Sequence, residues 1–158
     1  MSNTKRASNH APRLGALLRI ASQAMTEQLG AWLATSEYAD LQPFHSAAIQ
    51  PLWEEPKGAR ITTLARASRV TKQSMSVLVD YLVVCGYVER VRDPDDARAI
   101  RARLTAKGRA FGAAVRACSR RVEADWAARI GAERVEGLIE TLDLLRSSLD
   151  VGESRQGG

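Results

Sequence analysis

The residues best suited to chemistry lie between Thr71 and Arg98. Thr71, Lys72, Gln73, Ser74, Ser76 and Val77 open a helical stretch. Lysine pairs with guanine edges or phosphates, glutamine pairs with adenine, and valine meets a thymine methyl. A threonine at the helix start caps it and donates to a phosphate. Further on, Arg90, Arg92 and Arg98 surround the acidic turn Asp93-Pro94-Asp95-Asp96. Arginines on a short flexible hairpin suit a minor groove, whose narrow stretches concentrate negative potential. Asp96, two residues before Arg98, suits holding the turn or orienting an arginine. These side chains recognise a polyanion rather than make or break bonds.

Charge points the same way. The chain has 158 residues and a net charge of +5. From Ala59 to Gly108 there are ten basic and five acidic residues, which leaves 13 against 13 elsewhere. The excess is confined to the segment that carries the candidate contacts, as expected for a polyanionic partner.

Other chemistries find little support. His10 and His45 are the two histidines, and no serine has a convincing histidine partner. There is no phosphate-binding glycine loop and no cysteine or histidine pair at metal spacing, so no cofactor or metal is expected. A carboxylate-only enzyme is a remote alternative. Cys85 and Cys118 sit in apolar helical patterns and read as small buried hydrophobes. No segment has the roughly 18 apolar residues of a membrane span. The apolar run Leu14 to Met25 is broken by Arg19 and lacks a cleavage site, so a cytoplasmic protein is expected.

The elements that must position the contacts follow from periodicity. Residues 1–11 are polar and basic and read as a loose tail. Leu14, Leu18, Ala21, Met25, Leu29 and Trp32 repeat at steps of three and four, one helix. A shorter helix is expected from Gln42 to Leu52, stopped or kinked by Pro51. The turn 54–58 leads to a helix over Ile61–Ser68 with no good capping residue at Arg60. After the tight turn Arg69-Val70-Thr71, a helix runs to Cys85 with Met75, Val79 and Leu82 inward, and Gly86 ends it. Tyr87–Arg92 and Ala99–Leu104 alternate like strands. Thr105 caps a long helix striped by Phe111, Val115, Cys118, Val122, Trp126 and Ile130. Gly131 breaks it, and a last helix carries Val135, Leu138, Leu142 and Leu145. Val151 to Gly158 reads as a tail.

The resulting fold class is mainly α with a small β-hairpin wing: a winged helix-turn-helix over 42–104, with long helices over 12–36 and 105–150. Those long stripes exceed what one small winged domain covers. Leu14, Leu18, Phe111, Trp126, Leu138, Leu142 and Leu145 are therefore expected at a homodimer interface. An intramolecular three-helix bundle is the lesser reading.

The stretch Leu64-Ala65, Val70-Thr71, Leu82, Gly86-Tyr87-Val88-Glu89-Arg90, Asp93-Pro94-Asp95-Asp96-Ala97-Arg98 and Leu104-Thr105-Ala106-Lys107-Gly108 resembles the MarR (multiple antibiotic resistance regulator) family. The resemblance implies a dimer with interlocked terminal helices on pseudo-palindromic double-stranded DNA. It also implies repression relieved by a small ligand bound between the dimer helices and the winged domain. In this sequence Leu17, Ala21, Phe44, His45, Ile49 and Trp53 are the candidate lining, suited to a small aromatic or phenolic effector. Two other classes stay open: a sequence-tolerant architectural DNA binder, and a helical protein-interaction module.

Overall fold

Apolar residues at steps of three and four build the first helix, α1 (Leu14–Ala34). The computed structural model describes residues 13–153. Along them follow α2 (Ser46–Trp53), α3 (Ile61–Ala67), α4 (Lys72–Val84), the strands β1 (Val88–Asp93) and β2 (Asp96–Leu104), α5 (Ala106–Ile130) and α6 (Ala132–Glu153). The expected fold class is the observed one. The tail read over residues 1–11 lies outside the described part, as does Pro12.

Several boundaries differ from the sequence reading, among them the start of β2, which is Asp96 rather than Ala99. The expected helix over Gln42–Leu52 is a 3-10 turn (Pro43–His45) followed by α2. Gln42 and His45 cap that turn reciprocally, which separates it from the helix. Pro51 sits inside α2 and does not end it. Proline lacks the N–H that would bond to the Ala47 carbonyl four residues back. The Ser68 hydroxyl donates to that carbonyl instead, so the acceptor is not left bare. At the other end α6 continues to Glu153, three residues into the expected tail.

The core belongs to the winged domain. Met75, Val79, Leu82 and Tyr87 are wholly buried, with Leu64, Leu52, Ile49 and Val88 around them. Tyr87 and Tyr38 both meet Phe111 edge-on, at ring separations of 5.6 and 5.1 Å. Phe111 was expected at a dimer interface. It is instead fully buried in its own chain, because the first turns of α5 close the winged core.

The hairpin pairs Val88 with Leu104, Arg90 with Ala102 and Arg92 with Ile100, with an irregularity after Arg92. Ala59 adds a bridge to Ala102 through N–H···O bonds of 2.9 Å in both directions. The wing is thereby tied at its root to the segment before α3.

The Leu104–Gly108 segment explains itself physically. Thr105 Oγ1 accepts from the Gly108 N–H (3.1 Å) and donates to the Gly86 carbonyl (2.7 Å). Lys107 donates to the Cys85 carbonyl (3.0 Å) and lies 4.0 Å from the centre of the Tyr87 ring. Gly108 is where α5 passes against the Tyr87 carbonyl, with no room for a Cβ.

Outside that core the helices are poorly covered. Among the described side chains of α6, Val135 is the buried one, and Leu138, Ile139, Leu142, Leu144 and Leu145 are exposed. Leu14, Leu17 and Ile20 of α1 are exposed as well. Among the described residues no helix is long and apolar enough to cross a membrane.

Candidate nucleic-acid interface

Helix α4 divides its sequence by face. Met75, Val79 and Leu82 point into the core, and Lys72, Gln73, Ser74 and Val77 point out, with Ser76 half-buried between them. Val77 is 64% exposed, an apolar side chain on an otherwise polar surface. Thr71 Oγ1 accepts from the Ser74 N–H at 3.1 Å, so the cap expected from sequence is present. Its oxygen also lies 2.8 Å from Ser74 Oγ, which pairs the two hydroxyls at the helix start. The buried side fixes the helix, and the free side offers donors and one methyl-bearing contact.

The wing sorts its arginines into two groups. Arg90 is paired with Asp80 of α4. Arg101 bonds Asp93 (2.9 Å) and Asp95 (3.0 Å), and Arg103 bonds Glu89 (2.9 Å). Arg92 and Arg98 are exposed and make no ion pair among the described residues. Of the arginines named from sequence, these two keep their full hydrogen-bonding capacity for a partner.

Asp93 and Arg60 form the part of the site that sequence reasoning missed. The Asp93 side chain is buried, and its carboxylate accepts from Arg60 Nε (2.6 Å), Arg101 and the Asp95 N–H (3.0 Å). These donors, Arg101 foremost, hold its pKa well below the usual carboxylate range, against the opposing effect of burial. Arg101 is raised in turn, chiefly by its bond to Asp93. Arg60 also reaches Asp96 at 3.6 Å. Asp96 accepts from the Arg98 N–H (3.0 Å), so it both holds the turn and faces an arginine. The wing expected to be flexible is braced at its turn, and its free arginines lie beside that brace. Arg60 was legible only as a poor helix cap, because its partner lies 33 positions away.

A pH effect follows. A carboxylate whose folded pKa is depressed stabilises the fold above its unfolded value, near 3.8, and that contribution is lost as the pH falls below it. Asp93→Asn is expected to lower the thermal midpoint at neutral pH, with the gap to wild type closing in acid. Melting curves at matched ionic strength from about pH 7 to about pH 2 check this, since the loss begins below the unfolded value and deepens toward the folded one.

The residues of the expected effector lining differ in burial. Ile49 and His45 are buried, Leu17 and Phe44 are exposed, and Ala21 is half-buried. His45 stacks on Tyr81 of α4 at 4.7 Å, and its Nδ1 accepts from the Gln42 N–H at 2.8 Å. Burial pushes its pKa down, and Asp40 opposes that. Trp53 lies against Gly112, with Arg116 4.0 Å from its ring centre. Two open grooves lie elsewhere and include none of these six. One runs between α5 and α6 past Ala127, Val135 and Ile139, the other beside Trp32, Ala114 and Arg120.

Residues 54–99 match the family model described as the MarR family. No curated protein sequence matches the chain. Among solved structures the chain is similar to the Mycobacterium tuberculosis MarR family protein Rv2887 in complex with salicylic acid. They share 27% identity at a TM-score of 0.66, over 86% of this chain and 98% of that one. It is also similar to Streptococcus pneumoniae FabT in complex with DNA, at 20% identity and a TM-score of 0.72, over 87% and 96%. The reduced form of MarR from E. coli aligns at 20% identity and a TM-score of 0.74, over 87% and 98%. The chain therefore carries a segment, residues 54–99, that matches the MarR family model, set in a fold shared with these solved structures.

Proposed function

We propose that the protein is a homodimeric transcription regulator of the cytoplasm that binds pseudo-palindromic double-stranded DNA and acts by repression. The observation that carries this reading is the surface just described. One continuous chain segment presents Lys72, Gln73, Ser74 and Val77 on a rigid helix, and Arg92 and Arg98 unpaired on a braced wing. That pairing of elements suits a helix in the major groove and arginines in the adjacent minor groove. Similarity to FabT, solved with DNA, supports it. Similarity to Rv2887, solved with salicylic acid and with p-aminosalicylic acid, supports a small aromatic effector. The effector region is the seam between α1, the Pro43–His45 turn and α5, with Leu17, Ala21, Phe44, His45, Ile49 and Trp53 as its candidates. A ligand acts there only by favouring a spacing of the two recognition helices that DNA cannot accept.

The test separates base contacts from backbone contacts. Arg98→Ala is expected to weaken every duplex. Gln73→Ala is expected to change base preference, at about 1–3 kcal/mol for a lost base contact. Fluorescence anisotropy on a selected and a scrambled duplex reads both. An unchanged isotherm for Arg98→Ala, with the fold intact by circular dichroism, would remove the wing from the interface. A second reading, a sequence-tolerant architectural binder, predicts equal affinity for the two duplexes.

A further inference from the structure

The same helix-ending motif occurs twice in the winged domain. At the end of α4 the Tyr87 N–H bonds to the Leu82 carbonyl (2.8 Å) and the Gly86 N–H to the Val83 carbonyl (3.0 Å). At the end of α3 the Val70 N–H bonds to the Ala65 carbonyl (3.0 Å) and the Arg69 N–H to the Arg66 carbonyl (3.1 Å). Both are Schellman closures, which place one residue in the left-handed region. In the first that residue is Gly86, at φ 79°. In the second it is Arg69, at φ 52°, the one non-glycine with positive φ among the described residues. Glycine takes this conformation without cost, and a side chain with a Cβ does not.

Among the described residues nothing partners the arginine's guanidinium. The Arg69 side chain is exposed and makes no hydrogen bond or ion pair there. Its sequence neighbours bring further positive charge. Arg66 and Lys72 flank it in sequence, both exposed, and no acidic residue occurs from Pro56 to Val79. It stands two positions before Thr71, at the positive end of the recognition helix. A strained, like-charged and unpartnered arginine beside such an end fits an anion supplied from outside.

We infer that Arg69 is a phosphate-backbone contact that positions the recognition helix, kept at a glycine position for its guanidinium; this rests on the DNA-binding reading above. Such a contact contributes affinity without sequence information. Two copies act in a dimer.

The experiment compares wild type, Arg69→Gly and Arg69→Lys on one mixed-sequence duplex over a series of salt concentrations, with thermal melts alongside. Arg69→Gly is expected to melt no lower than wild type, because glycine relieves the left-handed strain. It is expected to bind on the order of tenfold more weakly at moderate salt. The slope of log affinity against log salt should shrink by about two per dimer. Arg69→Lys is expected to keep the slope. A Gly variant that binds with wild-type affinity and slope would overturn the inference and leave the DNA-binding reading standing. A lowered melting point for that variant would assign the side chain to packing, and would also overturn it. Wild-type protein that binds no duplex at low salt would defeat both readings.

Discussion

Leu142→Asp is expected to turn a dimer into a monomer whose winged core stays folded. Leu142 lies on α6, whose described side chains are nearly all exposed in the single chain. Leu138 is four residues before it and Leu145 three after, so the three form one stripe. Leu14, Leu17 and Ile20 on α1 add further exposed apolar area. A second chain is the simplest cover for such a surface, and two-fold symmetry places each substitution in the interface twice. Fully burying a leucine contributes about 1.5–3 kcal/mol, and Leu142 has 37% of its surface left for a partner to cover. Two lost leucines therefore weaken dimerisation by about 1–2 kcal/mol, on the order of tenfold in the dimer dissociation constant, and two unpaired carboxylates add to that. The winged core draws no buried residue from α6, so the variant keeps its fold. Sedimentation velocity checks the mass and circular dichroism the helix content. A variant that stays dimeric at micromolar concentration would remove α6 from the interface. Trp126, half-buried on α5, is a second probe of the same surface.

The second large effect is expected in the winged core, from a single methyl group. Gly108→Ala places a Cβ against the Tyr87 carbonyl oxygen, which is backbone and cannot swing aside. That oxygen also accepts from the Thr105 N–H at 3.1 Å, and Leu104 closes the site from the other side. Relief requires α5 to move off the hairpin root, which strains the Thr105 cap and the seat of Phe111 together. Overpacking costs typically 1–3 kcal/mol, and a backbone obstacle puts this variant at about 3 kcal/mol or more. Denaturant titration measures it as a fall in the midpoint at constant slope. Gly112→Ala meets the Trp53 ring instead. A side chain can yield where a carbonyl cannot, so the smaller loss is expected there. Equal stability of Gly108→Ala and wild type would refute the close passage of α5.

Much of this was legible from residue order, for identifiable reasons. The α4 face pattern, the Thr71 and Thr105 caps and the Gly86 stop are local, set within one or two turns of chain. Local rules therefore placed the recognition helix and the hairpin nearly to the residue. The brace at the wing turn was not legible, since Arg60 and Asp93 meet only after the hairpin folds back on the start of α3. The same holds for the split among the wing arginines. Arg92 and Arg101 look alike in sequence, yet the latter is spent on Asp93 and Asp95. Phe111 was misplaced because periodicity gives a stripe but not what covers it. One continuous stripe on α5 serves the winged core at its start and emerges from it further along. How α2 carries Pro51 was not legible, because the Ser68 hydroxyl that satisfies the Ala47 carbonyl comes from the end of α3, 21 positions away.

The central claim is sequence-specific recognition by a symmetric pair of winged helices. Its most direct measurement is selection of binding sites from a random duplex pool by the full chain, followed by footprinting on the winning sequence. The expected result is a two-fold repeat whose half-sites lie about one helical turn, roughly 10 base pairs, apart. Protection should cover both major-groove half-sites and the minor grooves flanking them. Binding should weaken steeply with salt. A pool that shows no enriched sequence after repeated rounds, or an enriched site with no two-fold symmetry, would contradict the account.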